Sequence, residues 1–152
     1  MTHPYSAELE LSPSTETWKQ WEGHVINASN GQFPLHRHLG SSAHSAVFLT
    51  EYGQETPQHA AIKFIPDNLR NVEMHLSRWE GTRRLSHPNL LRVFEAGRCQ
   101  LGDLRLLYVV MEYAEEDLSQ ILPSRALTPV EVRDMLRPAL DALAYLHGMG
   151  LV

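Results

Sequence analysis

The sequence predicts an α+β fold: a small antiparallel sheet packed with one helix, followed by the opening helices of a second, mainly helical region. Three observations predict it. Short runs rich in β-branched and aromatic residues alternate with Gly, Pro, Asn and Asp turn formers. One helical stretch, near 69–85, interrupts those runs. The last segment opens on Thr128-Pro129-Val130-Glu131, the pattern of a capping box with proline at the first helical position, and then repeats apolar residues at steps of three and four. At 152 residues the chain is long enough to bury one good core.

In chain order, residues 1–17 are rich in Ser, Thr, Glu and Pro and predict a loose arm. Trp18 and Trp21 share one side of a helical turn and are expected to pin that arm to the fold. Asn30-Gly31, between Val25-Ile26 and Phe33-Pro34-Leu35, is a hairpin signal because both turn residues tolerate positive φ. Strands are expected at about 34–40, 45–52 and 59–65, the last two joined through Gly53 and Pro57. Pro66-Asp67-Asn68 supplies the proline and cap for the helix. Strands at about 91–96 and 105–112 complete a five-stranded sheet, with Gly97 and Gly102-Asp103 at the turns. A short helix near 116–122 ends at Pro123. In the final helix, 129–149, Val132, Leu136, Ala139, Leu140, Leu143 and Leu146 form the apolar stripe, and Pro138 is expected to bend it.

Composition narrows the function classes. The net charge of −5 and the lack of a basic run argue against nucleic acid as the main partner. No stretch reaches the length of a membrane span, and Met-Thr-His-Pro-Tyr-Ser lacks the features of a secretion signal, so a cytoplasmic location is expected. The single cysteine, Cys99, can form no internal disulfide, which fits a reducing compartment. The nine histidines show no metal-ligand spacing; His36 and His38 merely alternate along a strand.

The most informative segment is Gln58-His-Ala-Ala-Ile-Lys-Phe-Ile65, one lysine inside an apolar strand. A bare ammonium there is costly unless an anion meets it. Alternation puts Ala61, Lys63 and Ile65 on one face and Ala60, Ile62 and Phe64 on the other. A small residue two positions before the lysine leaves room for a flat ring whose phosphates the lysine can reach.

Upstream lies Leu39-Gly40-Ser41-Ser42-Ala43-His44-Ser45-Ala46-Val47, and downstream Leu106-Leu107-Tyr108-Val109-Val110-Met111-Glu112-Tyr113-Ala114. Between them sits Leu85-Ser86-His87-Pro88-Asn89-Leu90. In this order and spacing, over about 110 residues, the segments resemble the ATP-binding lobe of a Ser/Thr protein kinase of a divergent bacterial kind. The resemblance implies a glycine-rich loop at 40–47, a nucleotide-binding strand at 61–63, a helix closing at His87-Pro88-Asn89 and a hinge at 111–114. It divides the chain into an arm and leading hairpin strand (1–32), a nucleotide lobe with its hinge (33–114) and the start of a helical lobe (115–152).

In that family the loop's backbone amides approach phosphates where no Cβ intervenes. Of three family glycines only Gly40 is present; Ser42 and Ser45 stand at the other places. The resemblance makes Leu39, Gly40, Ser42, Ser45, Val47, Ala61, Lys63, Met111, Glu112 and Ala114 the ATP-binding residues. Val47 and Ala61 would sandwich adenine, Met111 would be the gatekeeper, and backbone groups of Glu112 and Ala114 would bind the adenine edge. Asp117 either reaches a ribose hydroxyl or caps the short helix, and capping has the stronger local pattern.

The family pairs the lysine with a helix glutamate, but the corresponding position is Arg78. At ~100° per residue, Leu69, Val72, Leu76 and Trp79 define one stripe, with Glu80 about 70° and Glu73 about 90° from its centre. Glu80 is the expected partner of Lys63; Glu73, or no ion pair, is the alternative. Thr82 stands where the family has an apolar residue, a second departure. The catalytic and second magnesium-binding aspartates are expected beyond Val152, with ATP and Mg²⁺ as the cofactors and a protein as substrate or partner. The expectation is a nucleotide-binding half-domain inactive in phosphoryl transfer by itself. The alternative is a pseudokinase or scaffold lobe that binds a protein and uses nucleotide weakly or not at all.

Overall fold

Side-chain alternation builds the sheet. Along β4 (Ser45–Tyr52) Ala46, Phe48 and Thr50 are buried, and along β5 (Gln58–Pro66) Ala60, Ile62 and Phe64 are buried on the same face. The computed structural model describes residues 15–28, 31–67 and 72–151, so most of the arm, Asn30 of the first hairpin turn and the expected helix start at Asn68 and Leu69 lie outside the described residues.

The strands are β1 (Val25–Ala28), β2 (Gly31–Pro34), β3 (Arg37–Ser42), β4, β5, β6 (Val93–Leu101) and β7 (Leu104–Glu112). Their order is β2-β1-β6-β7-β5-β4-β3, and each neighbouring pair is antiparallel. Among the described residues the sheet therefore has seven strands, not the expected five. The hairpin β1–β2, in register Ile26↔Phe33, joins β6 through Ala28↔Cys99. It covers the edge that β6 would otherwise leave unpaired.

That edge exists because β6 runs past 96, where the sequence predicted a turn at Gly97. Gly97 instead sits within the strand opposite Tyr108, and a Cβ there would lie 3.0 Å from Tyr108 Cε1. The glycine marks a close approach of an aromatic ring, not a chain reversal. The reversal is at Gly102, whose φ of 59° is left-handed.

The core lies on one face of the curled sheet. It joins Trp18, Ile26, Phe33, Leu35, Phe48, Phe64 and Tyr108, none more than 4% exposed. Trp18 arrives on α1 (Thr15–Lys19), so the arm is helical from Thr15 and supplies a core residue. Trp21 packs beside it, against Gly102.

The helix α2 (Val72–Thr82) lies over β6 and β7 but buries no residue fully. It ends at Thr82, earlier than the expected 85, where Thr82 Oγ1 donates back to the Arg78 carbonyl, 2.8 Å. The short helix expected at 116–122 shrinks to one 3₁₀ turn, Leu118–Gln120. The last helix, α3 (Pro129–Gly148), starts as the sequence predicts. Thr128 Oγ1 accepts from the Glu131 amide (3.3 Å), and the Glu131 carboxylate accepts from the Thr128 amide (2.8 Å). Tyr145 ties α3 to the segment after α2: its hydroxyl accepts from the Ser86 amide, 3.2 Å, and its ring stacks on His87 at 5.1 Å.

Candidate functional site

Antiparallel pairing assembles the site. Lys63 on β5 lies between Val47 on β4 and Val109 on β7, and Ala61 lies between Leu49 and Met111. Ala60, Ile62 and Phe64 occupy the core face, so Ala61 and Lys63 face the other way. There an open cleft of about 610 Å³ lies under β3 and beside the hinge.

Leu39, Gly40, Val47, Ala61, Lys63, Met111, Glu112 and Ala114 all line this cleft. Ser42 and Ser45 do not; they sit at the tip of the β3–β4 hairpin, their hydroxyls 3.0 Å apart. The pairing of β3 with β4 shifts register between His38 and Gly40, a bulge that offsets the strand just before the glycine. A Cβ at Gly40 would meet nothing within 4 Å, so internal packing does not require glycine there.

Lys63 makes no ion pair among the described residues. The two carboxylates weighed as its partner are committed elsewhere. Glu80 accepts from Arg83 at 3.0 Å through both oxygens, and that hydrogen bond raises the Arg83 pKa. Glu73 pairs with Arg98 on β6. Glu80 also lines a different recess, away from the cleft. Arg78 carries no carboxylate, and Glu80 spends its own within the same helical turn.

At the end of β7, the Glu112 amide donates to the Arg92 carbonyl, 2.8 Å, which fixes the strand's last residue against the segment before β6. Asp117 lines the cleft and caps the 3₁₀ turn, accepting from the Ser119 amide at 2.6 Å. Ser119, through its side chain first and its amide second, holds the Asp117 carboxyl below the usual range. Among the described residues no group of three or more His, Cys, Asp or Glu converges to hold a metal ion. No described helix is long and apolar enough to cross a membrane.

Sequence reasoning missed Arg37 and Leu91, and the contact that Tyr113 makes within the expected hinge. Arg37 opens β3 and donates to the Tyr113 hydroxyl, 3.1 Å away and 76 residues later. The bond ties the strand that roofs the cleft to the hinge behind it. No local pattern signals such a contact; only the strand order β7-β5-β4-β3 brings the two residues together. Leu91, half exposed, lines the cleft from the segment before β6.

No protein-family model matches the chain. Individual relatives do. It is 30% identical over 118 residues to calcium/calmodulin-dependent protein kinase type 1 of Macrobrachium nipponense, covering 75% of this chain and 33% of that protein. It is 25% identical over 124 residues to a probable myosin light chain kinase of Dictyostelium discoideum, covering 80% and 38%. It is 34% identical over 123 residues to cyclin-dependent kinase F-4 of Oryza sativa subsp. japonica, covering 78% and 26%. The chain thus spans about a third of the length of these relatives. All three are eukaryotic, so they lend no support to the bacterial kind expected from the sequence.

Proposed function

Because this chain belongs to the protein kinase family, we propose that its cleft binds ATP as the nucleotide-side half of a Ser/Thr protein kinase. The observation that carries this reading is the position of Lys63. Its strand face opens into the cleft, with Leu39, Gly40 and Val47 on one side and Met111, Glu112 and Ala114 on the other. In this reading the ammonium meets the nucleotide's phosphates, which offset the cost of keeping it in an apolar strand. Ala61 and Val47 take the faces of the adenine, while the Glu112 carbonyl and Ala114 amide take its edge. The open space at Gly40 suits phosphates lying close to backbone. Ser42 and Ser45 at the hairpin tip would close over them.

The same reading assigns residues 1–32 to the arm and leading hairpin strand, 33–114 to the nucleotide lobe and 115–152 to the opening of the second lobe. By itself the chain would hold nucleotide without transferring its phosphoryl group. In phosphoryl transfer, metals and the acceptor must be positioned as well as ATP. Among the described residues no group of three or more His, Cys, Asp or Glu converges to hold a magnesium ion. The protein substrate, like a cytoplasmic location, belongs to this reading of the whole protein.

A second reading has its own support: with Glu80 on Arg83 and Glu73 on Arg98, Lys63 has no carboxylate partner among the described residues. That arrangement favours a pseudokinase or scaffold lobe with weak nucleotide binding or none. Melting temperature followed during ATP titration, with and without Mg²⁺, separates the two. The ATP reading expects a saturable rise that Lys63→Met abolishes. A flat titration, or an equal rise in Lys63→Met, overturns it in favour of the scaffold.

A further inference from the structure

We propose that a second recess, separate from the ATP cleft, is a binding site for a phosphate monoester. It lies where the end of α2 meets the start of β6, encloses about 370 Å³ and is lined by Tyr52, Glu80, Arg83, Arg84, Arg92 and Phe94, besides Val93. None of these residues lines the cleft that holds Lys63.

Three guanidiniums here face one lining carboxylate, in a chain whose net charge is −5. Arg83 is spent on Glu80. Arg84 and Arg92 have no carboxylate partner among the described residues. Arg92 is held in place without one. Its guanidinium lies over the Phe94 ring, 5.7 Å from the centroid, and Phe94 stacks on Tyr52 at 4.7 Å with the ring planes nearly parallel. Buried Glu95 is close enough to act on Arg83, but its carboxylate already accepts from the Tyr108 hydroxyl, 2.6 Å. The C-terminal end of α2 opposes an anion, yet its Gly81 and Thr82 carbonyls already accept from the Arg84 and Leu85 amides.

Forked donors from two elements fit a tetrahedral dianion better than a planar monoanion. Arg84 comes from the turn after α2 and Arg92 from the residue just before β6, and Tyr52 lines the recess beside them. A phosphate monoester supplies three acceptor oxygens and close to two negative charges. The side chain of a phosphorylated peptide and free inorganic phosphate share that chemistry.

The test uses the 152-residue chain. Arginine side-chain N–H resonances are followed during titration with N-acetyl-phosphoserine methylamide and, separately, inorganic phosphate, with ionic strength fixed by chloride. Saturable shifts are expected at Arg84 and Arg92. Arg84→Gln and Arg92→Gln should each weaken binding at least about fivefold, while Arg98→Gln should leave it unchanged. Glu80→Gln, which releases Arg83 into the recess, should tighten it about threefold. Tighter binding of the phosphoserine probe assigns a phosphorylated peptide, and equal affinities assign free phosphate. Shifts that never saturate, an equal loss in Arg98→Gln, or no gain in Glu80→Gln would overturn the site.

Discussion

In the sheet, Phe48, Ile62, Phe64 and Tyr108 are each 0% exposed, whereas Leu136, Leu140 and Leu143 on α3 are 47%, 61% and 44% exposed. Both regions carry a regular apolar pattern, of period two in the strands and of three- and four-residue steps in the helix. The difference lies in what covers each pattern. The sheet's apolar face receives Trp18 from α1 and Ile26 and Phe33 from the β1–β2 hairpin. The helix has one buried residue, Ala142, and touches the rest of the described chain chiefly through Tyr145. Periodicity tells which face of an element is apolar. Whether that face contributes to stability depends on the element that arrives to cover it.

The largest expected effect tests the covered region. Trp18→Ala should destabilise the chain by about 3–5 kcal/mol, the cost of emptying a large aromatic site in a packed core. The indole N–H, buried without an acceptor among the described residues, trims the loss toward the lower figure. Urea unfolding followed by tryptophan fluorescence and circular dichroism measures it. A change below about 1 kcal/mol would mean that α1 is dispensable, and the contrast between the regions would then rest on the strands alone.

An intermediate effect belongs to the start of α3, which is ordered by local bonds and not by burial. Thr128→Ala removes the hydroxyl that accepts from the Glu131 amide, for an expected loss of about 1 kcal/mol. Glu131 adds a pH dependence. Arg125, bonded to it at 2.7 Å and 2.9 Å, together with the Thr128 amide and hydroxyl, holds its carboxyl down to about 2 from an ordinary 4.5. A depressed acid stabilises the fold above its unfolded value and stops doing so as pH falls through its folded one. The capping box should therefore hold at neutral pH and fail between about 4.5 and 2. Helicity at 222 nm, compared between the wild type and Glu131→Gln, checks this. The wild type should lose more over that window, and parallel curves would exclude the bond as the cause.

Much of this was legible in the sequence for a physical reason. The capping box of α3, the Gly102 reversal and the two faces of β5 depend on neighbours a few residues apart, and local patterns report them. Leu39, Gly40, Val47, Ala61, Lys63 and the hinge reached one cleft because strand alternation and antiparallel pairing fix where successive side chains go. The misses depend on which partner each residue meets, and local patterns do not report that. Gly97 reads as a turn until Tyr108 is seen across the strand. The hairpin β1–β2 joins the sheet only because β6 offers an edge more than sixty residues later. The fate of Glu80 was hidden for another reason: its angle on the helix was legible, but its competition between Lys63 and Arg83 was not.

The smallest effect is the most pointed, because it pits one side chain against its twin. Leu106→Ala, in β7 and 1% exposed, should cost about 2–5 kcal/mol, whereas Leu140→Ala, on α3 and 61% exposed, should change stability by no more than about 0.5 kcal/mol. Alanine suits a helix interior slightly better than leucine, so the second change can even be neutral. Matched urea titrations at two protein concentrations give both numbers. If Leu140→Ala costs more than about 2 kcal/mol at high concentration and little at low, a second copy of the chain covers α3. An equal cost at both would mean that the helix is buried within a single chain and that the contrast with the sheet fails.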